Sequence, residues 1–127
     1  MKTEKIANRL VELCRKGENM KAYDELFSDS AIAIEPEGMP DNIAAGLDNL
    51  RAKTREWYND VEEMHSMKVS DPVVGDNFFS CSMSMDLTSK SRGRMQMEEI
   101  CVYEVKDDKI IKEQFFFSIP QEQPQEA

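Results

Sequence analysis

The chain has 127 residues and a formal net charge of −9 at pH 7. This length allows one domain to bury a core without disulfides or metals, and the acidic charge disfavours non-specific binding to nucleic acid or to an anionic membrane surface. No apolar run approaches the roughly 18 residues of a membrane-spanning helix, and the N-terminal sequence MKTEKIANRL is too highly charged for a secretory signal. We therefore expect a cytoplasmic protein without nucleic-acid or membrane partners, with one domain over residues 1–119 and a disordered tail over residues 120–127.

Three cysteines, an odd number without paired spacing, favour free thiols in a reducing compartment. Cys14 lies in a helical pattern, whereas Cys81 and Cys101 lie on apolar faces of predicted strands. Such positions are typical of small buried side chains rather than of catalytic thiols. The sequence contains no Cys-x-x-Cys motif and no histidine-rich spacing, so neither a metal nor any other cofactor is predicted.

In three segments of the first half of the chain, apolar residues recur at spacings of three and four, as in amphipathic helices. Gly17 follows the first segment and is a typical residue at the C-terminal end of a helix. The run Ala31–Ile34 predicts a short strand, and residues 39–45 predict a loop. The three helices are predicted over residues 3–16, 19–29 and 47–61.

From Glu62 onwards apolar residues alternate with polar ones, which is the period of half-buried strands. The alternation is cleanest from Phe79 to Thr88, where every odd position is apolar. Strands that follow helices in this way predict an α+β fold, in which three N-terminal helices wrap a curved, cone-shaped antiparallel (mixed) sheet. The four long strands are predicted over residues 62–70, 79–88, 94–105 and 110–119.

Two polar residues share the predicted inward faces of these strands. Glu99 has the parity of Cys101, so either its carboxylate faces the interior or a bulge at Glu98–Glu99 reverses the pattern. His65 has the parity of Met67, which directs its imidazole inward as a proton shuttle or an oxyanion donor. The alternative for His65 is a hydrogen-bonded side chain at the rim of the sheet.

Three segments are similar to parts of a known family: ELFSDSAIAIEPEG, GLDNLRAKTREWYNDVEEMH and VYEVKDDKIIKEQFFF. They resemble, in that order, the end of the second helix with the first strand, the third helix, and the closing hairpin of SnoaL-like proteins. These proteins belong to the nuclear transport factor 2-like superfamily, together with ketosteroid isomerase and polyketide cyclases. The resemblance covers residues 5–118 and implies a cystatin-like cone with a pocket at its open end, usually in a dimer.

The resemblance also implies a catalytic role for Glu35. In ketosteroid isomerase the general-base aspartate precedes a proline at the end of the first strand, and Glu35 occupies that position here. The tyrosine of that enzyme's first helix falls at about Leu10, and its second acid falls at about Cys101, so the resemblance disfavours a steroid isomerase. Glu35 is therefore either a proton-abstracting base or a solvated carboxylate beside a turn.

Two functions of different classes remain. The first is the binding of a small apolar molecule, or of a partner protein, without catalysis. The alternative is a cofactor-independent isomerase, dehydratase or aldol-type cyclase that acts on a small apolar carbonyl compound. In that enzyme Glu35 or Glu99 would move the proton, while His65 and Tyr103 polarise the carbonyl. The candidate ligand-binding residues, each of which has packing in the core as its alternative role, are Tyr23, Trp57, Met83, Met97, Tyr103, Phe115 and Phe117.

The even-numbered apolar residues of the strands predict a second surface. Because the odd-numbered faces are expected to be buried, these residues would lie on the outer face of the sheet. There they would form an apolar patch larger than a monomer usually exposes, so we expect a homodimer through this face. The patch is predicted to contain Phe78, Ile100, Val102, Ile110 and Phe116.

Overall fold

The structure, a computed structural model, describes residues 2–119, and the predicted tail over residues 120–127 lies outside this range. Within this range the helices are α1 (Lys2–Arg15), α2 (Asn19–Leu26) and α3 (Leu47–Asp60). Helix α1 packs on the sheet through the apolar stripe that the sequence predicts, with Ile6, Leu10 and Leu13 buried. Gly17 follows two residues after its end, with a left-handed φ of +72° and an amide that donates to the Cys14 carbonyl at 3.0 Å.

Seven strands form one curved, mixed sheet. Along the sheet the order is β2-β1-β7-β6-β5-β3, and β4 also pairs with β5. Neighbouring strands are antiparallel, except that β1 and β7 are parallel. The predicted α+β fold is confirmed. The strands are β1 (Phe27–Ile34), β2 (Ile43–Ala45), β3 (Val61–Val69), β4 (Val73–Gly75), β5 (Phe78–Ser89), β6 (Gly93–Lys106) and β7 (Lys109–Phe116).

The junction of α2 and β1 differs from the prediction. The helix ends at Leu26 rather than near residue 29, and the strand begins at Phe27 rather than at Ala31. Phe27, the first residue after the helix, is extended and buried, and its ring contacts the ring of Tyr23 edge-on with a centroid distance of 4.8 Å. A register irregularity between Phe27 and Ile32 interrupts the alternation in β1, which explains why the first half of this strand carries no period-two signal. The predicted loop over residues 39–45 also contains the short strand β2.

The closing strand β7 corrects one member of the predicted outer patch. A register shift in the β6–β7 pairing places Ile110 opposite Val105, and Ile110 is completely buried. Ile110 therefore belongs to the core rather than to the outer face. The turn before it contains Asp107 and Asp108, both with positive φ, which is a backbone conformation that aspartate tolerates better than most residues.

Candidate functional site

The inner face of the sheet and the three helices enclose one large cavity with a volume of about 410 Å³. Methionine and aromatic side chains supply much of its wall, which draws on both the helices and the strands. All of the predicted ligand-binding residues lie on this wall, although their role in binding remains a prediction: Tyr23, Trp57, Met83, Met97, Tyr103, Phe115 and Phe117.

Glu99 points into the cavity. The β5–β6 pairing runs without a register shift past Glu99, which lies opposite Met83, so the alternative of a bulge at Glu98–Glu99 is wrong. The thiol of Cys101 donates a weak hydrogen bond to Oε1 of Glu99 at 3.7 Å. Loss of hydration, with a smaller contribution from the charge of Glu35, raises the pKa of Glu99 to about 7. The group can therefore gain or lose a proton near neutral pH.

Glu113 is a second acid in the cavity that the sequence analysis missed. It lies on β7 opposite Tyr103, and only 4% of its surface is exposed. Burial, together with the nearby Glu99, raises its pKa to about 8. The sequence does carry a signal for it, because Glu113 has the same parity as the predicted inward residues Phe115 and Phe117. Parity therefore predicts an inward direction for Glu113, as it does for Glu99.

Hydrogen bonds connect Glu113 to two helices. The phenol of Tyr23 lies 3.5 Å from Oε1 of Glu113, and it also forms a 2.8 Å hydrogen bond with Oγ1 of Thr54. Tyr23 belongs to α2 and Thr54 to α3, so the network joins both helices to the closing strand. Burial raises the pKa of the Tyr23 phenol, so it acts as a neutral hydrogen-bond donor.

Glu35 also lines the cavity, directly after the end of β1. Its Oε1 forms an ion pair with Nζ of Lys53 at 2.9 Å, and Lys53 also donates to the Asp41 carbonyl at 2.7 Å. About a quarter of the Glu35 side chain is exposed, so the carboxylate keeps contact with water as well as with Lys53. A catalytic role for Glu35 remains a prediction.

The inward orientation expected for His65 is wrong. The β3–β5 pairing shifts between Met64 and Ser66, where two steps along β3 match one step along β5. Met64 and Met67 therefore both line the cavity, whereas His65 does not. Its Nε2 bonds to Oγ1 of Thr88 at 2.7 Å, and its Nδ1 lies 3.3 Å from Glu63. This geometry matches the alternative of a hydrogen-bonded histidine at the rim of the sheet, and it removes the imidazole from any chemistry in the cavity.

Tyr103 supplies a polar atom at the same end of the cavity as Glu113. Its ring stacks on that of Phe79 with a centroid distance of 4.7 Å, and 2% of the residue is exposed. Within residues 2–119 its phenol forms no hydrogen bond, yet no fully buried side-chain oxygen in that range is left without a partner. The oxygen therefore keeps a small exposed area, and the residue lines the cavity.

The cysteines fulfil the prediction of buried small side chains. Cys14, Cys81 and Cys101 are all buried and free. Cys81 lies directly opposite Cys101 in the β5–β6 pairing. The described part of the chain contains no group of three or more histidine, cysteine or acidic side chains arranged to hold a metal.

This combination of fold and cavity matches known proteins. Residues 1–117 match the family model described as SnoaL-like domain. The chain belongs to the SnoaL-like family. A comparison with curated proteins gives no match.

Solved structures place this SnoaL-like domain among similar folds. A candidate SnoaL-like polyketide cyclase from Mesorhizobium loti is 31% identical, with a TM-score of 0.84, over 89% of this chain and 97% of that one. A nuclear transport factor 2-like protein of unknown function from Burkholderia pseudomallei is 11% identical, with a TM-score of 0.77, over 93% and 92%. A protein of unknown function with a cystatin-like fold from Xanthomonas campestris is 12% identical, with a TM-score of 0.78, over 94% and 92%. The last two similarities concern the fold alone.

Proposed function

We propose that this SnoaL-like domain binds a small, largely apolar molecule in its cavity. The observation that supports this most strongly is the cavity itself, whose volume of about 410 Å³ lies within the usual range for ligand pockets, on the order of 300–1,000 Å³. Its wall combines many apolar side chains with a few polar groups, which is typical of sites that bind by burial and orient the ligand by hydrogen bonds. The methionines on the wall are flexible and polarizable, so they adapt to the shape of an apolar ligand.

A variant that fills the cavity tests this function. Met97 points inward from β6, and its neighbour Gln96 is exposed on the outer face. We expect Met97→Trp to abolish binding of a fluorescent naphthalene probe, while Gln96→Trp, which adds the same ring on the other face, leaves binding unchanged. Circular dichroism checks that both variants fold. Equal binding by the two variants would contradict the cavity as the binding site.

Acid–base catalysis is the second candidate function. The observation that favours it is that Glu35, Glu99 and Glu113 line one cavity, with Glu35 paired to a cation and the pKa values of the other two raised. Carboxyl groups in such different surroundings can divide the roles of base and acid between them. The reaction would be a cofactor-free isomerisation, dehydration or aldol-type cyclisation of a carbonyl compound, in keeping with the name of the Mesorhizobium loti neighbour. If Glu35→Gln still binds a carbonyl substrate but no longer converts it, this result would support the catalytic function.

We also propose that two copies of the protein form a homodimer through the outer face of the sheet. Phe78, Ile100 and Phe116 are each nearly half exposed on the outer face of the sheet. Val102 is half-buried beside them, and Ile110 is excluded because it lies in the core. Association of two copies through this outer patch would remove apolar surface from water.

A cytoplasmic location remains a proposal as well, supported by three free thiols. In residues 2–119 the structure shows no helix with the length and apolar character needed to cross a membrane.

A further inference from the structure

Two of the three acids on the cavity wall form no ion pair with the described part of the chain. Lys53 pairs with Glu35, whereas Glu99 receives a hydrogen bond from the Cys101 thiol and Glu113 receives one from the Tyr23 phenol. Arg92 also lines the cavity, but it lies in the turn between β5 and β6, where its charge acts on Asp60. Residues 2–119 therefore place two carboxyl groups in an apolar cavity without supplying a paired positive charge to either.

The groups around these carboxyls are hydrogen-bond donors. A thiol and a phenol that donate to carboxyl oxygens favour the ionised form, because a carboxylate only accepts hydrogen bonds. Loss of hydration outweighs these bonds and raises both pKa values, to about 7 for Glu99 and about 8 for Glu113. A positively charged group in the cavity would reverse this balance, since an opposite charge nearby stabilises a carboxylate.

Other features of the site also suit a cation. Phe115 and Phe117 line the cavity beside Glu113, and Trp57 lines it from α3, so aromatic rings are available for cation–π contacts. The phenol oxygen of Tyr103, opposite Glu113, can accept a hydrogen bond from an ammonium group. The net charge of −9 attracts cations towards the protein and repels anions.

We infer that the cavity selects molecules that carry a basic nitrogen on an apolar body, with the ammonium group held by Glu99 and Glu113. This inference rests on the proposed binding function and names the class of its ligand. An ammonium group held in this way requires both carboxyls to be ionised, which leaves them no proton to donate. The inference therefore agrees with the binding function and disfavours the catalytic one.

Two probes with the same ring test the inference: 1-naphthylmethylamine, which is positively charged, and 1-naphthylmethanol, which is neutral. Their affinities are measured by calorimetry at about pH 5.5, below both carboxyl pKa values, and at about pH 8.5, above both. At the higher pH we expect the amine to bind at least about tenfold more tightly than the alcohol. At the lower pH the preference should fall, because the amine must then displace protons from the carboxyls.

Variants assign the preference to the two acids. Glu99→Gln and Glu113→Gln should each reduce the preference for the amine at high pH, while binding of the alcohol persists and shows that the cavity is intact. Glu98→Gln, an exposed neighbour on the outer face, is the control and should change neither affinity. Variants are needed because other titratable groups also surround the two carboxyls: Cys14, Tyr23, Glu35, Lys53, Cys81, Cys101 and Tyr103.

Each other outcome contradicts the inference. Equal affinities at high pH, or a preference that survives both substitutions, would show that the acids do not select a cation, while the binding function stands. Tighter binding of the alcohol than of the amine at both pH values would show that the carboxyls donate to a neutral oxygen instead. Failure of both probes to bind would contradict the binding function itself.

Discussion

The phenol oxygen of Tyr23 lies 3.5 Å from Oε1 of Glu113, although the two residues are 90 positions apart in the sequence. Tyr23 comes from the second helix and Glu113 from the last strand, so this contact forms only when the sheet has closed against the helices. Thr54 of the third helix bonds to the same phenol at 2.8 Å. The network thus fixes the position of an acid in the cavity.

Tyr23→Phe should destabilise the protein by about 1 kcal/mol, the usual value of a lost hydrogen bond. Because the Tyr23 bond lowers the pKa of Glu113, its loss should raise that pKa further. The destabilisation should therefore be larger at alkaline pH, where Glu113 ionises, than in mild acid. Urea denaturation at several pH values measures this. Tyr58→Phe is the control, since its phenol bonds to the Gly17 carbonyl instead. Equal effects of the two substitutions at every pH would contradict the network.

Glu99→Gln should stabilise the protein at neutral pH and have little effect below about pH 4.5. Burial raises the pKa of Glu99 from 4.5 in the unfolded chain to about 7 in the folded protein. The folded protein therefore loses stability as the pH rises from 4.5 to about 7. Each pKa unit corresponds to about 1.4 kcal/mol, which gives a stabilisation of roughly 3 kcal/mol at pH 7 and slightly more at higher pH.

Glu113→Gln should also stabilise the protein at neutral and alkaline pH. The wild type should continue to lose stability up to about pH 8, where Glu113 ionises. Denaturation curves at about pH 4.5 and about pH 8.5 bracket both transitions. The exposed Glu98→Gln serves as the reference and should change stability by less than about 0.5 kcal/mol at either pH. A stabilisation by Glu99→Gln that did not vary with pH would show that the carboxyl is not buried as a titrating acid.

Lys53→Met should destabilise the protein by about 1 kcal/mol, because it removes the cation beside the half-buried Glu35. Glu35→Gln combined with Lys53→Met should recover part of this loss, since no unpaired carboxylate then remains. A double-mutant cycle measures the coupling. Lys68→Met, at an exposed position of β3, is the matched control. Strict additivity of the two substitutions would show that the ion pair contributes nothing.

His65→Ala should leave probe binding unchanged, because the imidazole lies outside the cavity and bonds to Thr88. Loss of that bond should cost about 1 kcal/mol or less. Calorimetry with the naphthalene probes checks the affinity, and thermal denaturation checks the stability. A tenfold weaker affinity in a folded variant would place His65 at the binding site after all.

Ile100→Lys should convert the protein from a dimer to a monomer. Ile100 is 47% exposed and lies opposite Phe116 in the outer patch, where a charge would be buried on association. Light scattering should return twice the chain mass for the wild type and the chain mass for the variant. Ile43→Lys places the same charge at a position that is 60% exposed on β2, and it should leave the dimer intact. A monomeric wild type at micromolar concentration would refute the proposal.

The sequence predicts those parts of the fold in which a hydrophobic period runs without interruption. β5 illustrates this, because its odd residues from Phe79 to Leu87 are buried as the alternation requires. Glu99 lies in a similarly regular pairing, so parity predicts its direction correctly. Glu113 could have been found by the same parity argument.

The errors lie where a register shift changes the period. His65, Phe27 and Ile110 each lie at or beside such a shift, and in each case the expected direction or boundary was wrong. A bulge adds one residue to one strand and moves all later side chains to the other face. Because a bulge is defined by the pairing of two strands, the hydrophobic pattern of a single strand does not reveal it.

The register shift between Met64 and Ser66 keeps the imidazole of His65 out of the cavity. Deletion of Met64 would remove the extra residue and place His65 opposite Leu87, on the side of β3 that faces the cavity, while Met67 kept its place opposite Met85. The imidazole of His65 would then line the same cavity as Glu99 and Glu113. The loss of a single codon, without any substitution, would thus add an imidazole to the carboxyl groups of the cavity.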